Sequence, residues 1–137
     1  MTTTNTNDTE ASVEQAIRII KAGGELVRLT TQGTREALNM GNIRYALRCR
    51  GYSVPLVADV HFNANVADVA AEHCDKVRIN PGNYTDPARK FRHIEYTDEE
   101  YAAELQKIEE RLVPFIDVCR RNNTAVRIGV NHGSLSD

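Results

Sequence analysis

Lys76-Val-Arg-Ile-Asn80 is a short β-branched run that ends in polar side chains. Three more runs of this kind occur, at residues 26–32, 54–61 and 125–131. Short apolar runs bounded by turn residues are typical of buried strands, so the sequence predicts four β-strands. The stretches before and between these runs are predicted to be helices. They are residues 13–22, 34–50, about 64–73 and about 98–122.

Two helix ends have recognisable capping signals. Thr97 precedes the last helix and Glu100 follows three residues later, which predicts a capping box at its start. Gly23-Gly24 predicts a glycine cap at the end of the first helix. Within the last helix, apolar residues recur every three or four positions and predict one apolar face. They are Tyr101, Leu105, Ile108, Leu112, Phe115 and Cys119.

The alternation of strands and helices predicts an α/β fold with parallel strands joined by right-handed crossovers. An open doubly wound sheet and a (β/α)8 TIM barrel both fit this pattern. Each strand ends in polar or charged residues, and a barrel gathers such ends at one face, so we favour the barrel. A whole barrel needs about 250 residues. We therefore expect residues 1–137 to be the N-terminal portion of a TIM-barrel substrate-binding domain, and so to form a partial (β/α)8 barrel.

The first residues leave two interpretations open. Residues 2–9 are polar and could form a disordered tail, or the end of a strand and its loop. The start has neither a basic nor an apolar signal-peptide region, so a cytoplasmic location is the default expectation. Residues 1–137 contain no apolar run that approaches a membrane span, and the net charge of −2 gives no general attraction to nucleic acid.

The cysteines have no spacing that suggests a metal site. Cys49, Cys74 and Cys119 are odd in number and far apart, without a CxxC pair. We interpret them as reduced thiols, and we expect no metal site in this chain.

Three arginines occupy the same position in comparable strand patterns. Arg28, Arg78 and Arg127 are each the third residue of a four-residue run, so their side chains share an orientation. Alternate residues of a barrel strand point into the lumen, where three arginines at matching depth would converge near the top. Unpaired buried charges are costly, so the cluster predicts either a bound anion, such as phosphate, or pairing with carboxylates such as Asp59 and Asp75.

Other polar residues lie at the same strand ends. Asp59 and His61 are two residues apart on one strand, hence on one face, and could orient a hydroxyl, move a proton or form a structural pair. Asn80 begins a turn that could present N–H groups to an oxyanion. Asn131 and His132 follow the last strand, where Gly129 permits close backbone approach.

Taken together, these segments resemble the 4-hydroxy-3-methylbut-2-enyl diphosphate synthase family. The resemblance covers nearly the whole chain, and two of its segments are highly specific. They are Lys-Val-Arg-Ile-Asn-Pro-Gly-Asn83 and Arg-Ile-Gly-Val-Asn-His-Gly-Ser-Leu-Ser136. The segment that follows Tyr84 resembles the larger form of the enzyme, which has an extra middle domain.

The resemblance implies a (β/α)8 barrel whose mouth binds 2-C-methyl-D-erythritol 2,4-cyclodiphosphate. It assigns diphosphate binding to Arg28, Arg78 and Arg127, with Asn131 nearby. It places four further residues around the same mouth without individual roles. They are Asp59, His61, Asn80 and His132.

The family's reaction is a two-electron reductive ring opening, run by a [4Fe-4S] cluster that ferredoxin or flavodoxin reduces. The cluster ligands belong to a C-terminal domain absent from this chain, so the resemblance implies no cluster within residues 1–137.

Three functional hypotheses follow for the chain. The parent protein is expected to be the isoprenoid-pathway oxidoreductase, while residues 1–137 alone form a catalytically silent substrate-binding fragment. An unrelated phosphate-binding barrel, such as a pterin-synthase-like enzyme, shares the fold but not these motifs.

A partial barrel also leaves strand edges unpaired, and such edges recruit partners, so we expect a homo-oligomer.

Overall fold

The computed structural model describes residues 1–61, 63–83 and 97–130. Strands and helices alternate along the chain. They are α1 (Thr9–Lys21), β1 (Val27–Thr31), α2 (Thr34–Cys49), β2 (Leu56–Val60), α3 (Ala64–His73), β3 (Lys76–Ile79), a 3₁₀ turn (Pro81–Asn83), α4 (Asp98–Asn122) and β4 (Ala125–Ile128). All four predicted strands and helices are confirmed, although α1 begins at Thr9 rather than at residue 13.

The four strands form one parallel sheet in the order β1-β2-β3-β4. Crossovers between parallel strands are right-handed in nearly all proteins, so strands that follow one another in chain order carry their helices on one face. A doubly wound sheet instead reverses its order and has helices on both faces. The observed order is that of half a barrel, and it leaves the other face of the sheet as the lumen.

The core lies between the sheet and the helices. Val27, Leu29, Leu56, Val77 and Ile79 alternate with the lumen-facing residues and are at most 1% exposed. They pack against the buried faces of α1, α2 and α3. Burying such a side chain contributes about 1.5–3 kcal/mol, so this layer holds the strand ends in a fixed register.

Side chains and glycine define the helix ends. The Asp8 carboxylate accepts a hydrogen bond from the Ala11 N–H at 3.1 Å, which explains the early start of α1. Gly23 has a φ of 93° and donates to Ile20, while Gly24 donates to Ile19, the pattern of a Schellman cap. The capping box predicted for α4 is also present.

The apolar face of α4 packs against the core only near its C-terminal end. Phe115 and Cys119 are buried, whereas Tyr101 is 59% exposed and Leu105 is 49% exposed. The neighbouring helix α3 has 10 residues and α4 has 25, or about 15 and 38 Å at 1.5 Å per residue. Among the described residues, α3 is therefore too short to cover the first turns of α4.

The N-terminal residues are an ordered part of the fold, and so the disordered-tail interpretation is wrong. The Thr2 N–H donates to the Arg28 carbonyl at 2.9 Å, alongside β1. The Thr6 hydroxyl donates to the Thr30 carbonyl at 2.6 Å, and the side chains of Thr2 and Thr6 are at most 4% exposed. This segment therefore covers the free edge of β1, as a preceding strand end and its loop would.

No helix in the described ranges is both long and apolar enough to cross a membrane.

Candidate anion-binding site

The register of the sheet determines which polar side chains meet on the lumen face. Thr30, Asp59, Arg78 and Arg127 form one row of paired residues across the four strands. Arg28 pairs with Val57 in the row below, so it shares the face but lies one layer lower. The expected common orientation of the three arginines is present, whereas their expected matching depth applies only to Arg78 and Arg127.

Asp59 is the centre of this cluster. Its carboxylate lies 3.5 Å from the Arg28 Nε, 3.4 Å from the Arg78 Nη1 and 3.5 Å from the His61 Nε2. The Asp59 and Arg78 side chains are only 8% and 11% exposed, while His61 is about one-third exposed. A single carboxylate therefore holds two guanidinium groups and one imidazole, which supports the carboxylate pairing predicted for the arginines at Asp59.

The lumen face has more positive than negative charge. Arg28 and Arg78 share one carboxylate, and Arg127 makes no ion pair with any described residue. Arg28, Lys76 and Arg127 also line a cavity of about 210 Å³ together with Met1, Leu26 and Val57. Sequence reasoning missed Lys76, although its position two residues before Arg78 on the same strand places it on the same face.

Asn80 lies at the top of β3 and is 5% exposed. Its side-chain oxygen accepts a hydrogen bond from the Gly82 N–H at 3.2 Å, which stabilises the turn Pro81–Asn83. The predicted strand-end position is present, and at least part of the role of Asn80 is to hold this turn in place. Asn131 and His132 lie outside the described residues.

Gly129 approaches the Arg78 side chain closely. A Cβ at Gly129 would lie 2.2 Å from the Arg78 Nε and 2.6 Å from its Cζ. The Gly129 N–H donates to the Ile79 carbonyl at 2.8 Å, which anchors this backbone beside β3. The Arg78 guanidinium thus occupies the space that a side chain at Gly129 would fill.

The cysteines lie apart from this cluster. Cys49 is exposed, while Cys74 and Cys119 are buried, and all three are free thiols. Burial raises the pKa of the Cys74 thiol to about 12 and that of Cys119 to about 11. Across the described ranges, no three His, Cys, Asp or Glu side chains converge as metal ligands.

The GcpE TIM-barrel domain family matches residues 1–137, the whole of the chain. The chain belongs to this family. Its four parallel strands in sequential order fit the GcpE TIM-barrel domain, which confirms the predicted partial (β/α)8 barrel. The predicted resemblance is confirmed as well.

Relatives of this GcpE domain have been described in several bacteria. It is 70% identical over 137 residues to the 4-hydroxy-3-methylbut-2-en-1-yl diphosphate synthase (flavodoxin) of Bacteroides fragilis. It is 62% identical to the protein of that name from Parabacteroides distasonis and 50% identical to that from Protochlamydia amoebophila. In each case all of this chain is covered, but it spans only 21–22% of the relative's length.

Proposed function

We propose that this chain forms part of the substrate site of a 4-hydroxy-3-methylbut-2-enyl diphosphate synthase. The observation that carries the proposal is that Arg28, Arg78 and Arg127 lie on one lumen face, where Arg28 and Arg78 share a single carboxylate and Arg127 has no ion pair among the described residues. The proposed ligand is the diphosphate of 2-C-methyl-D-erythritol 2,4-cyclodiphosphate. Guanidinium groups suit this ligand because their planar fork matches two phosphate oxygens at once.

The contacts with Asp59 leave the arginines able to bind a ligand. They measure 3.4–3.5 Å, whereas charge-assisted N–H···O bonds are strongest at about 2.7–2.9 Å. Asp59 therefore keeps Arg28 and Arg78 in place without using all of their donors. Arg127 has no such partner among the described residues and adds a further donor group at the level of Arg78.

Asp59 and His61 are proposed to contact the polyol part of the ligand. Both lie at the top of β2, and their side chains are 3.5 Å apart. A carboxylate next to an imidazole can orient a hydroxyl group and accept its proton. Asn80, Asn131 and His132 are proposed to complete the mouth of the site, as the family resemblance implies.

The activity of the whole protein is a wider proposal. We propose that it reduces the cyclodiphosphate with loss of water, using electrons from flavodoxin, the donor named for the relatives. A [4Fe-4S] cluster would supply the electrons at the substrate. The three cysteines of this chain do not fit as its ligands, because they are separate free thiols and no three His, Cys, Asp or Glu side chains come together among the described residues. We therefore assign the cluster to a separate C-terminal domain.

Two further proposals concern the state of the protein. We propose a cytoplasmic location, since flavodoxin is the proposed donor. We also propose that residues 1–137 on their own form a homo-oligomer, because β4 has no second neighbour among the described strands. Light scattering at several concentrations tests the second proposal, and a mass that stays monomeric throughout would contradict it.

Calorimetric titration with the cyclodiphosphate tests the anion site. The intact protein that contains this chain should bind the ligand, and Arg127→Ala should weaken binding roughly tenfold or more, since each bond to a charged group contributes about 1.5–3 kcal/mol. Arg44→Ala is the matched control, because Arg44 pairs with Asp75 at 3.0 Å away from this cluster. Equal affinity for the Arg127→Ala and Arg44→Ala variants would contradict the proposed site.

A further inference from the structure

We propose that Gly129 is a positioning residue for the anion site, because its lack of a side chain leaves the space through which the Arg78 guanidinium reaches the lumen. The inference rests on the proposed function. Gly129 lies two residues after Arg127, so its missing side chain would point to the same lumen face. A Cβ there would meet three atoms of the Arg78 guanidinium group at 2.2–2.6 Å, well inside any allowed contact.

Backbone freedom does not explain this glycine. Among the described glycines, positive φ angles occur at Gly23 and Gly51, and Gly129 is not one of them. An alanine could therefore adopt its backbone conformation without strain. Glycine is required at this position because the Arg78 guanidinium occupies the space that a side chain at residue 129 would need.

The neighbours of Arg78 determine what a methyl group would do. The Gly129 backbone is held by its hydrogen bond to Ile79, and the Asp59 carboxylate lies 3.4 Å from the Arg78 Nη1. The end of an arginine side chain moves more easily than a paired strand. A methyl group at Gly129 should therefore displace the guanidinium while leaving the fold intact.

The test is a double-mutant cycle in the intact protein with the cyclodiphosphate as ligand. Gly129→Ala should weaken binding roughly tenfold when Arg78 is present, since it misplaces one charge-assisted contact. It should have almost no effect in the Arg78→Ala background, where no guanidinium is left to displace. Gly51→Ala controls for general destabilisation, because its φ of 84° makes alanine strained at this position after the end of α2, so it should lower stability without changing affinity.

The outcomes separate this inference from the proposed function. If the wild-type protein binds and Gly129→Ala binds equally well, or weakens binding equally in both backgrounds, the inference is wrong while the proposed function stands. If the wild-type protein does not bind, the proposed function fails. A crystal structure of ligand-free Gly129→Ala gives a separate readout, in which an unmoved Arg78 guanidinium would overturn the inference.

Folding failure of the single variant is also informative. Should Gly129→Ala not fold, the Arg78→Ala background removes the clash and should restore folding. Continued failure there would show that another contact requires the glycine, and would overturn the inference.

Discussion

Replacing Arg78 by alanine should separate a ligand-binding role from a purely structural one. The Arg78 side chain is 11% exposed and shares the Asp59 carboxylate with Arg28 and His61. Its removal deletes one guanidinium from the lumen face and leaves Asp59 with two of its three neighbours. Binding and folding should therefore respond to different degrees.

The expected magnitudes follow from these contacts. Bonds to a charged group contribute about 1.5–3 kcal/mol each, and 1.4 kcal/mol corresponds to tenfold in affinity, so Arg78→Ala should weaken cyclodiphosphate binding by roughly one to two orders of magnitude. The free energy of unfolding should fall by only about 1–3 kcal/mol, because Asp59 keeps its other partners. Breaking a fully isolated buried pair costs more, about 3–5 kcal/mol.

The assay combines calorimetric titration with thermal unfolding of the ligand-free protein. Arg78→Lys should recover part of the affinity, because an ammonium keeps the charge but loses the planar fork. Arg44→Ala loses a comparable ion pair at 3.0 Å and should leave affinity unchanged. Unchanged affinity in Arg78→Ala beside a large loss of stability would refute the diphosphate role and leave Arg78 as the partner of Asp59.

Three further predictions concern the rest of the fold. The Thr97 backbone N–H and side chain hold the pKa of Glu100 below its usual value, so this contact stabilises α4 at pH values above the unfolded pKa of Glu100, and that stabilisation is lost as pH falls through the folded pKa. Thr97→Ala removes only the side-chain contribution, so an NMR titration should show the Glu100 pKa moved part of the way back towards its usual value. When the folded protein is treated with a thiol-alkylating reagent, mass spectrometry should find Cys49 as the one modified cysteine of this chain, and the buried thiols should react only after unfolding. Phe115→Ala should cost about 3–5 kcal/mol in denaturant unfolding, against less than about 1 kcal/mol for the exposed Leu105→Ala.

The elements of the fold were predictable because their signals are local. The β-branched runs, the Schellman glycines and the Thr97 capping box each depend on a few adjacent residues, and all are present. That the N-terminal segment is ordered was not predictable, because it depends on hydrogen bonds from Thr2 and Thr6 to carbonyl groups of β1, which is distant in sequence. The extent of burial along α4 was also not predictable from its own apolar periodicity, because it depends on the length of the neighbouring helix α3.

The site was predictable in its residues but not in its geometry. The matching strand patterns identify Arg28, Arg78 and Arg127 and their common face. The pairing of Thr30 with Asp59 depends on sheet register and places Arg28 one layer lower. The close approach of Gly129 to Arg78 likewise depends on how β4 lies beside β3, which no single segment specifies.

A crystal structure of the intact protein with the cyclodiphosphate bound tests the central claim most directly. We predict that the diphosphate oxygens lie within hydrogen-bond distance of the guanidinium groups of Arg28, Arg78 and Arg127, on the lumen face beside Asp59. A ligand bound elsewhere, with Arg28 and Arg78 still paired only to Asp59, would contradict it.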